Sequence, residues 1–167
     1  IAIVASIEFL SAMAPLTGSD ALQYHFAVPK QILELGFHPL FSNAHSFLCG
    51  QQHLLILFGL ALGSEKLALG FIFLGGLLTA AALACLASRW ASDWIAMVFA
   101  AIFLLTPVVF WQMTSSGSPD MYMGFFACAA VLTLGQRDSG QARWHVLLAG
   151  FLAGAIAGAK YTGCFIA

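Results

Sequence analysis

The sequence predicts an all-α fold, a polytopic bundle of transmembrane helices with an amphipathic helix in the first extracytoplasmic loop. Of the 167 residues, 61% are hydrophobic and only 8% are charged, whereas soluble domains contain about 25% charged residues. Long apolar segments also alternate with short polar connections along the chain. Both observations predict an integral, multi-pass membrane protein.

The composition also excludes some functions. The formal net charge is -1, with six Lys and Arg residues in all, so the chain has no basic surface for nucleic acid. The four cysteines are widely spaced and form no C-x-x-C pattern, which argues against a disulfide framework or a zinc site. No metal ligand is therefore assigned. The cofactor stays unknown, and a divalent metal remains open.

The elements follow from the apolar runs, and residues 1–167 are expected to form one transmembrane domain. The first run would reach only about 21 Å as a helix, short of a hydrocarbon core of about 30 Å. Because the chain also starts with Ile and ends inside an apolar run, we expect it to be the N-terminal part of a longer domain. The predicted spans are 1–14, 66–87, 94–111, 121–134 and 144–167. The predicted membrane-surface helices are 19–35 and 46–62, and the second of these could also be read as a span.

Three arginines predict the orientation. Arg89, Arg137 and Arg143 fall in two connections, and the positive-inside rule places both connections on the cytoplasmic face. Residues 15–64 then form one extracytoplasmic region, and the run 46–62 lies on the membrane without crossing it. The connection before residue 120 is also outside.

Three aspartates have the same local pattern. Thr17 and Asp20 fit a capping motif, and a serine shortly before Asp93 and Asp120 could cap a helix in the same way. Capping alone therefore explains all three residues. Under the predicted topology, however, Asp20 and Asp120 share the extracytoplasmic face, whereas Asp93 faces the cytoplasm.

Other polar residues extend this candidate site. Helical spacing places Tyr24 beside Asp20 and turns His25 aside, and Pro29 is expected to end or kink that helix. Lys160 lies in an apolar span, where an ionisable side chain is costly. Two explanations for Lys160 stay open, snorkelling to the outer interface and binding of a phosphate.

The stretch "PLTGSDALQYHFAVPKQILELGF" resembles the first extracytoplasmic loop of the GT-C class of membrane glycosyltransferases. The similarity is to the branch of the protein O-mannosyltransferases and the lipid A aminoarabinose transferase. The stretches "LLTPVVFWQMTSSGSPDMYMGFF" and "GAIAGAKYTG" are similar to later pieces of that family. In the mannosyltransferase branch a glutamate often follows the aspartate of the first motif, whereas Ala21 follows Asp20 here.

The resemblance implies a multi-pass enzyme, expected in a bacterial cytoplasmic membrane with its active site facing outward. It would move a sugar from a polyprenyl-phosphate donor to a glycan, lipid or protein acceptor. Asp20 matches the catalytic aspartate. The residues expected to bind substrate are Tyr24, His25, Lys30, Asp120, Lys160 and Tyr161. The alternatives are a secondary transporter, which would need broken helices, and a non-catalytic membrane assembly subunit.

Overall fold

The computed structural model describes residues 1–36, 50–136 and 142–167, and these ranges are helical without any strand. The predicted all-α class is therefore confirmed for these residues. The α-helices are α1 (Ala2–Ala12), α2 (Ala27–Leu35), α3 (Gln51–Ala61), α4 (Glu65–Ala87), α5 (Asp93–Leu105), α6 (Pro107–Trp111), α7 (Asp120–Leu134) and α8 (Ala142–Ala159). Two π-helical turns, Ala21–His25 and Gln112–Ser116, and a 3-10 helix, Tyr161–Phe165, complete the described elements.

Two of the described helices, α4 and α8, are long and apolar enough to cross a membrane. A third candidate is bent by 61° between α5 and the segment from Pro107 to Ser116. The segment predicted as a span over 94–111 is therefore interrupted by a sharp bend. Thr106 is extended, with ψ at 124°, because a residue before proline avoids the α-helical conformation.

Two other predicted elements also differ from the structure. The span expected over 144–167 is α-helical only to Ala159; Lys160 after it is extended, and a short 3-10 helix follows. Pro29 does not end its helix. The break lies at Phe26, and Pro29 is in the first turn of α2, where a missing N–H leaves no intrahelical bond unmade.

Of the predicted surface helix 46–62, residues 46–49 lie outside the described ranges, and most of the remainder forms α3.

Helix α4 is the central element of the fold. It contacts α1, α3, α5 and α7, which explains why its sequence is apolar on every side rather than along one stripe. One hydrophobic cluster joins it to α1, α5 and α6, and a second joins its first half to the π turn Ala21–His25 and to α3. The first loop is therefore packed against the bundle.

Helices α4 and α7 run in the same direction. The Tyr122 hydroxyl donates to the Phe71 carbonyl at 2.5 Å, and near the other end Arg89 donates to the Leu132 carbonyl at 2.8 Å. Arg89 therefore lies at the end where α7 finishes and α8 begins with Arg143 in its first turn. We call this the arginine end of the bundle. Arg137 lies outside the described ranges.

Exposed tryptophans mark the same end. Trp90, Trp94 and Trp144 are all highly exposed and lie within a few residues of Arg89 or Arg143. Tryptophan beside arginine at the ends of apolar helices is typical of a membrane interface. The opposite end, where α4 and α7 begin and α8 finishes, contains Asp120 and the first loop.

Helices α3 and α4 pack closely at Gly59. A Cβ atom added at Gly59 would lie 2.6 Å from the backbone nitrogen of Ala68 and 2.7 Å from its Cα. Backbone atoms of a packed helix cannot turn aside as a side chain does. Gly59 therefore fixes the distance between these two helices.

We expect Gly59→Ala to lower the free energy of unfolding by about 1–3 kcal/mol through overpacking, although alanine is the better helix former. The matched control is Gly70→Ala in α4, where no atom lies within 4 Å of the added Cβ. Thermal unfolding in detergent compares the two variants. Equal stability of both would contradict the close contact.

Candidate functional site

Asp120 is the centre of a polar network at the end of the bundle opposite Arg89. Its Oδ2 atom accepts hydrogen bonds from Gln112 Nε2 at 3.2 Å and from Ser118 Oγ at 2.7 Å. Its Oδ1 atom accepts a hydrogen bond from Lys160 Nζ at 3.2 Å. Three donors from three separate segments thus converge on one carboxylate, which is also favoured electrostatically as the first residue of α7.

The local backbone explains how Gln112 reaches Asp120. In one continuous helix, residues eight apart would be separated by about 12 Å along the axis. Here the chain leaves the π turn at Gly117, whose φ of 68° suits glycine, and α7 starts soon afterwards. Ser116 Oγ donates to Gln112 Oε1 at 2.7 Å and accepts from Ser118 N at 3.2 Å, so the amide of Gln112 is held facing Asp120.

Lys160 reaches this network because α8 ends just before it. Its backbone is extended, with φ at -158° and ψ at 147°, and its ammonium forms an ion pair with Asp120. The two side chains are 31% and 34% exposed, so the pair lies in a partly open site. Two residues that the predicted topology put on the same side are thus in contact, and the Lys160 ammonium has a partner within the protein.

Asp20 lies on an adjacent segment. The predicted cap is absent, since Asp20 makes no side-chain capping bond at the start of its π turn. Its side chain is exposed, and no hydrogen bond joins its carboxylate to any residue that the structure describes. Asp20 is therefore a carboxylate open to solvent and not a helix cap.

Two glycines pack the Asp20 segment against the segment that leads to Asp120. A Cβ atom added at Gly18 would lie 2.4 Å from the Ser115 carbonyl oxygen, and one at Gly117 would lie 3.2 Å from His25 Cβ. The first loop and the connection before α7 therefore touch through backbone. Asp93 has no such neighbour, since it begins α5 at the arginine end.

Tyr24 and His25 lie in a π-helical turn rather than in the α-helix that the spacing argument assumed. The turn is π-helical, with Phe26 N donating to Ala21 O, so α-helical spacing does not decide which side chains are neighbours. The Tyr24 ring lies against His25, with ring centroids 4.1 Å apart. His25 is buried, and its Nδ1 lies 3.3 Å from Nε2 of His53 in α3. Burial lowers the pKa of His53 to about 4, which favours a neutral ring.

Lys30 is not bonded to this network. It forms an ion pair with Glu65, in the first turn of α4, and both side chains are about half exposed. The backbone of Tyr161 begins the final 3-10 helix, and its side chain lies outside what the structure describes. The structure therefore brings Asp120 and Lys160 together, places Asp20 on an adjacent segment, and pairs Lys30 with Glu65 instead.

The sequence reasoning did not identify Gln112 and Ser116 as part of the network. The available signal was the position of Gln112 directly after an apolar run and ahead of "TSSGSPD". A metal centre has no support in the described ranges, where no group of three His, Cys, Asp or Glu side chains is close enough to hold an ion.

A family model described as the DUF1420 N-terminal domain matches residues 1–148. The chain belongs to the DUF1420 family. The match includes Asp20, Gln112 and Asp120, whereas Lys160 lies after its last residue. No curated protein and no solved structure matches this DUF1420 chain.

The histidine pair predicts a pH dependence of stability. A pKa of about 4 in the folded DUF1420 chain, against about 6.5 when unfolded, means that the unfolded chain binds the extra proton between these values. The contribution of neutral His53 to the free energy of unfolding is thus fully present above the pKa of the unfolded chain. It is lost as the pH falls toward the pKa of the folded chain. Unfolding followed across this window should show a slope of up to about 1.4 kcal/mol per pH unit from this residue. His53→Gln should remove that part of the slope, and an unchanged slope would contradict the prediction.

The partly buried Asp120–Lys160 pair predicts that replacing Lys160 destabilises the protein more than replacing Lys30. Lys160→Met removes a charged donor from a partly buried carboxylate and should lower the free energy of unfolding by about 1.5–3 kcal/mol. Lys30→Met breaks a more exposed pair and should cost less than about 1 kcal/mol. Chemical denaturation of both variants measures the difference. In an Asp120→Asn background the loss at Lys160 should shrink, and an equal loss in both backgrounds would show that the two residues are not coupled.

Proposed function

We propose that this chain is a polytopic membrane glycosyltransferase that moves a sugar from a polyprenyl-phosphate carrier to an extracytoplasmic acceptor. The single observation that supports the proposal most is the packing of the Asp20 segment against the segment that leads to the Asp120–Lys160 pair. One carboxylate is free and exposed, and a cation lies at the same end of the bundle. The resemblance of the first loop to GT-C enzymes points to the same chemistry.

In this proposal Asp20 is the general base. The hydroxyl oxygen of the acceptor attacks the anomeric carbon of the sugar, and the bond from that carbon to the phosphate oxygen breaks. The hydroxyl proton passes to the Asp20 carboxylate, and the bonding electrons leave with the polyprenyl phosphate. An unpaired carboxylate suits this role because no donor in the described part of the chain competes for its lone pairs.

Lys160 is proposed to stabilise the charge on the leaving phosphate. An ammonium has three N–H donors, and the bond to Asp120 uses one of them. Asp120 is then a positioning residue, because its carboxylate already accepts three hydrogen bonds. Such a preorganised cation stabilises developing charge most strongly where water is limited. Lys30 contributes less in this scheme, since it pairs with Glu65 and makes no contact with the Asp120 network.

The proposed orientation follows from the two ends of the bundle. Arg89, Arg143 and the exposed tryptophans favour a cytoplasmic interface at one end. Asp20 and Asp120 would then face outward, toward a lipid-linked donor. The side chains of Leu22, Leu33 and Leu35 are exposed along the first loop, which suits a helix lying in the outer interface.

A secondary transporter is the second candidate, and one observation favours it. Helix α5 and the segment from Pro107 to Ser116 meet at an angle of 61°. Helix α8 ends at Ala159, and the next residue, Lys160, is extended. Interrupted helices that meet at a charged pair are typical of transporter binding sites. The exposed, unpaired Asp20 has no special role in that reading, which is why the transferase is preferred.

We expect Asp20→Asn to lower the rate of sugar transfer by at least about 10²-fold, the usual contribution of a general base. The assay uses membranes containing the full chain and a panel of radiolabelled polyprenyl-phosphate sugars. The matched control is Asp93→Asn, an exposed aspartate that begins a helix at the opposite end, and it should keep normal activity.

Normal transfer by Asp20→Asn together with a loss in Asp93→Asn would refute the assignment. Uptake of the same sugars into proteoliposomes, without transfer, would favour the transporter instead.

A further inference from the structure

Glu8 is a buried carboxyl group that the proposed reaction does not use. It lies in the middle of α1, in the apolar stretch "IAIVASIEFLSA", and only 2% of the residue is exposed. Its Oε2 atom is buried and has no hydrogen-bond partner among the described residues. A buried polar atom without a partner is costly, so this side chain requires an explanation.

The carboxyl group borders a cavity of about 360 Å³. The walls come from α1, from the end of α5 and from α6, and Glu8 is the only ionisable residue among the described residues that line it. Ile7 and Leu105, which also line it, are 58% and 62% exposed. The cavity therefore opens on the apolar outer surface of the helices.

The break between α5 and α6 lies in the same wall, since Leu105 and Pro107 both line the cavity. A carboxyl group beside a broken helix could simply satisfy the backbone groups that the break releases. Thr106 satisfies two of the released carbonyls, because its N–H donates to the Phe103 carbonyl at 3.1 Å and its hydroxyl donates to the Ile102 carbonyl at 2.9 Å. No hydrogen bond joins Glu8 to a described backbone group of the break, so Glu8 does not satisfy it.

The surroundings determine the state of the carboxyl group. No lysine, arginine or histidine of the described residues lines the cavity, so an ionised Glu8 would be a buried charge without a counter-ion. Such a charge costs several kcal/mol even after relaxation of the protein. A neutral carboxyl group, which holds its proton, avoids that cost.

We propose that Glu8 is a proton-binding site, open to the lipid-facing cavity beside the break between α5 and α6. Its ligand is a proton, and the molecules that reach it are hydrophobic ones that enter from the lipid phase. The site is separate from the Asp120–Lys160 pair and does not depend on sugar transfer. An ionisable residue in an apolar helix generally marks a proton or ion site.

Labelling by dicyclohexylcarbodiimide tests this site in the full chain in lipid bilayers near neutral pH. This hydrophobic reagent reacts with a protonated carboxyl group. The carboxyl oxygen adds to the central carbon, the proton moves to a nitrogen, and rearrangement gives a stable N-acylurea that contains the whole reagent. Mass spectrometry should find the adduct on Glu8 and none on Asp93.

Two comparisons make the result decisive. A water-soluble carbodiimide with an added amine should label exposed Asp93 and leave Glu8 unmodified. Glu8→Gln, which resembles the neutral carboxyl in shape, should lose the adduct and keep the thermal unfolding temperature of the parent chain. Absence of an adduct on Glu8, or a marked loss of stability in Glu8→Gln, would overturn the proposal. Sugar transfer is not measured, so failure here leaves the proposed function unaffected.

Discussion

The hydrogen bonding of the Asp120 carboxylate is the constraint on which the polar end of this molecule depends. A carboxylate that is two-thirds buried must be surrounded by donors, and here the donors come from a π turn, from the connection before α7 and from the residue after α8. Each segment leaves regular α-helix at this point. The charge is therefore what holds three irregular backbone segments in one place.

The same rule accounts for the other irregularities. Where a helix is interrupted, a polar side chain or a glycine makes the interruption tolerable: Thr106 bonds to the carbonyls before Pro107, and Gly117 adopts a positive φ after the π turn. In an apolar chain, backbone groups without partners are expensive. At both of these breaks, the sequence therefore supplies a residue that allows the bend or a side chain that bonds to the released backbone groups.

The sequence predicted the elements better than it predicted the details of the site. Apolar runs indicated helices near α4 and α7, and the arginine pattern placed Asp120 and Lys160 on one face. The π turns could not be predicted because they depend on contacts distant in the chain, such as Gly18 against Ser115. The break at Pro107 was readable from the proline, but the run around it was apolar enough to suggest one continuous span.

The carboxyl groups of this chain differ in exposure and hydrogen bonding, even where their local sequences are similar. Asp20 and Asp93 both begin helices and are both exposed, yet only Asp20 lies on a segment packed against the Asp120 connection. Asp120 accepts three hydrogen bonds, and Glu8 is buried with no described donor for its Oε2 atom. A free base must be accessible and unpaired, a positioning residue must be paired, and a proton site must be dry. In the proposed scheme, burial and hydrogen-bond partners, which no local motif encodes, are what distinguish the roles of Asp20, Asp120 and Glu8.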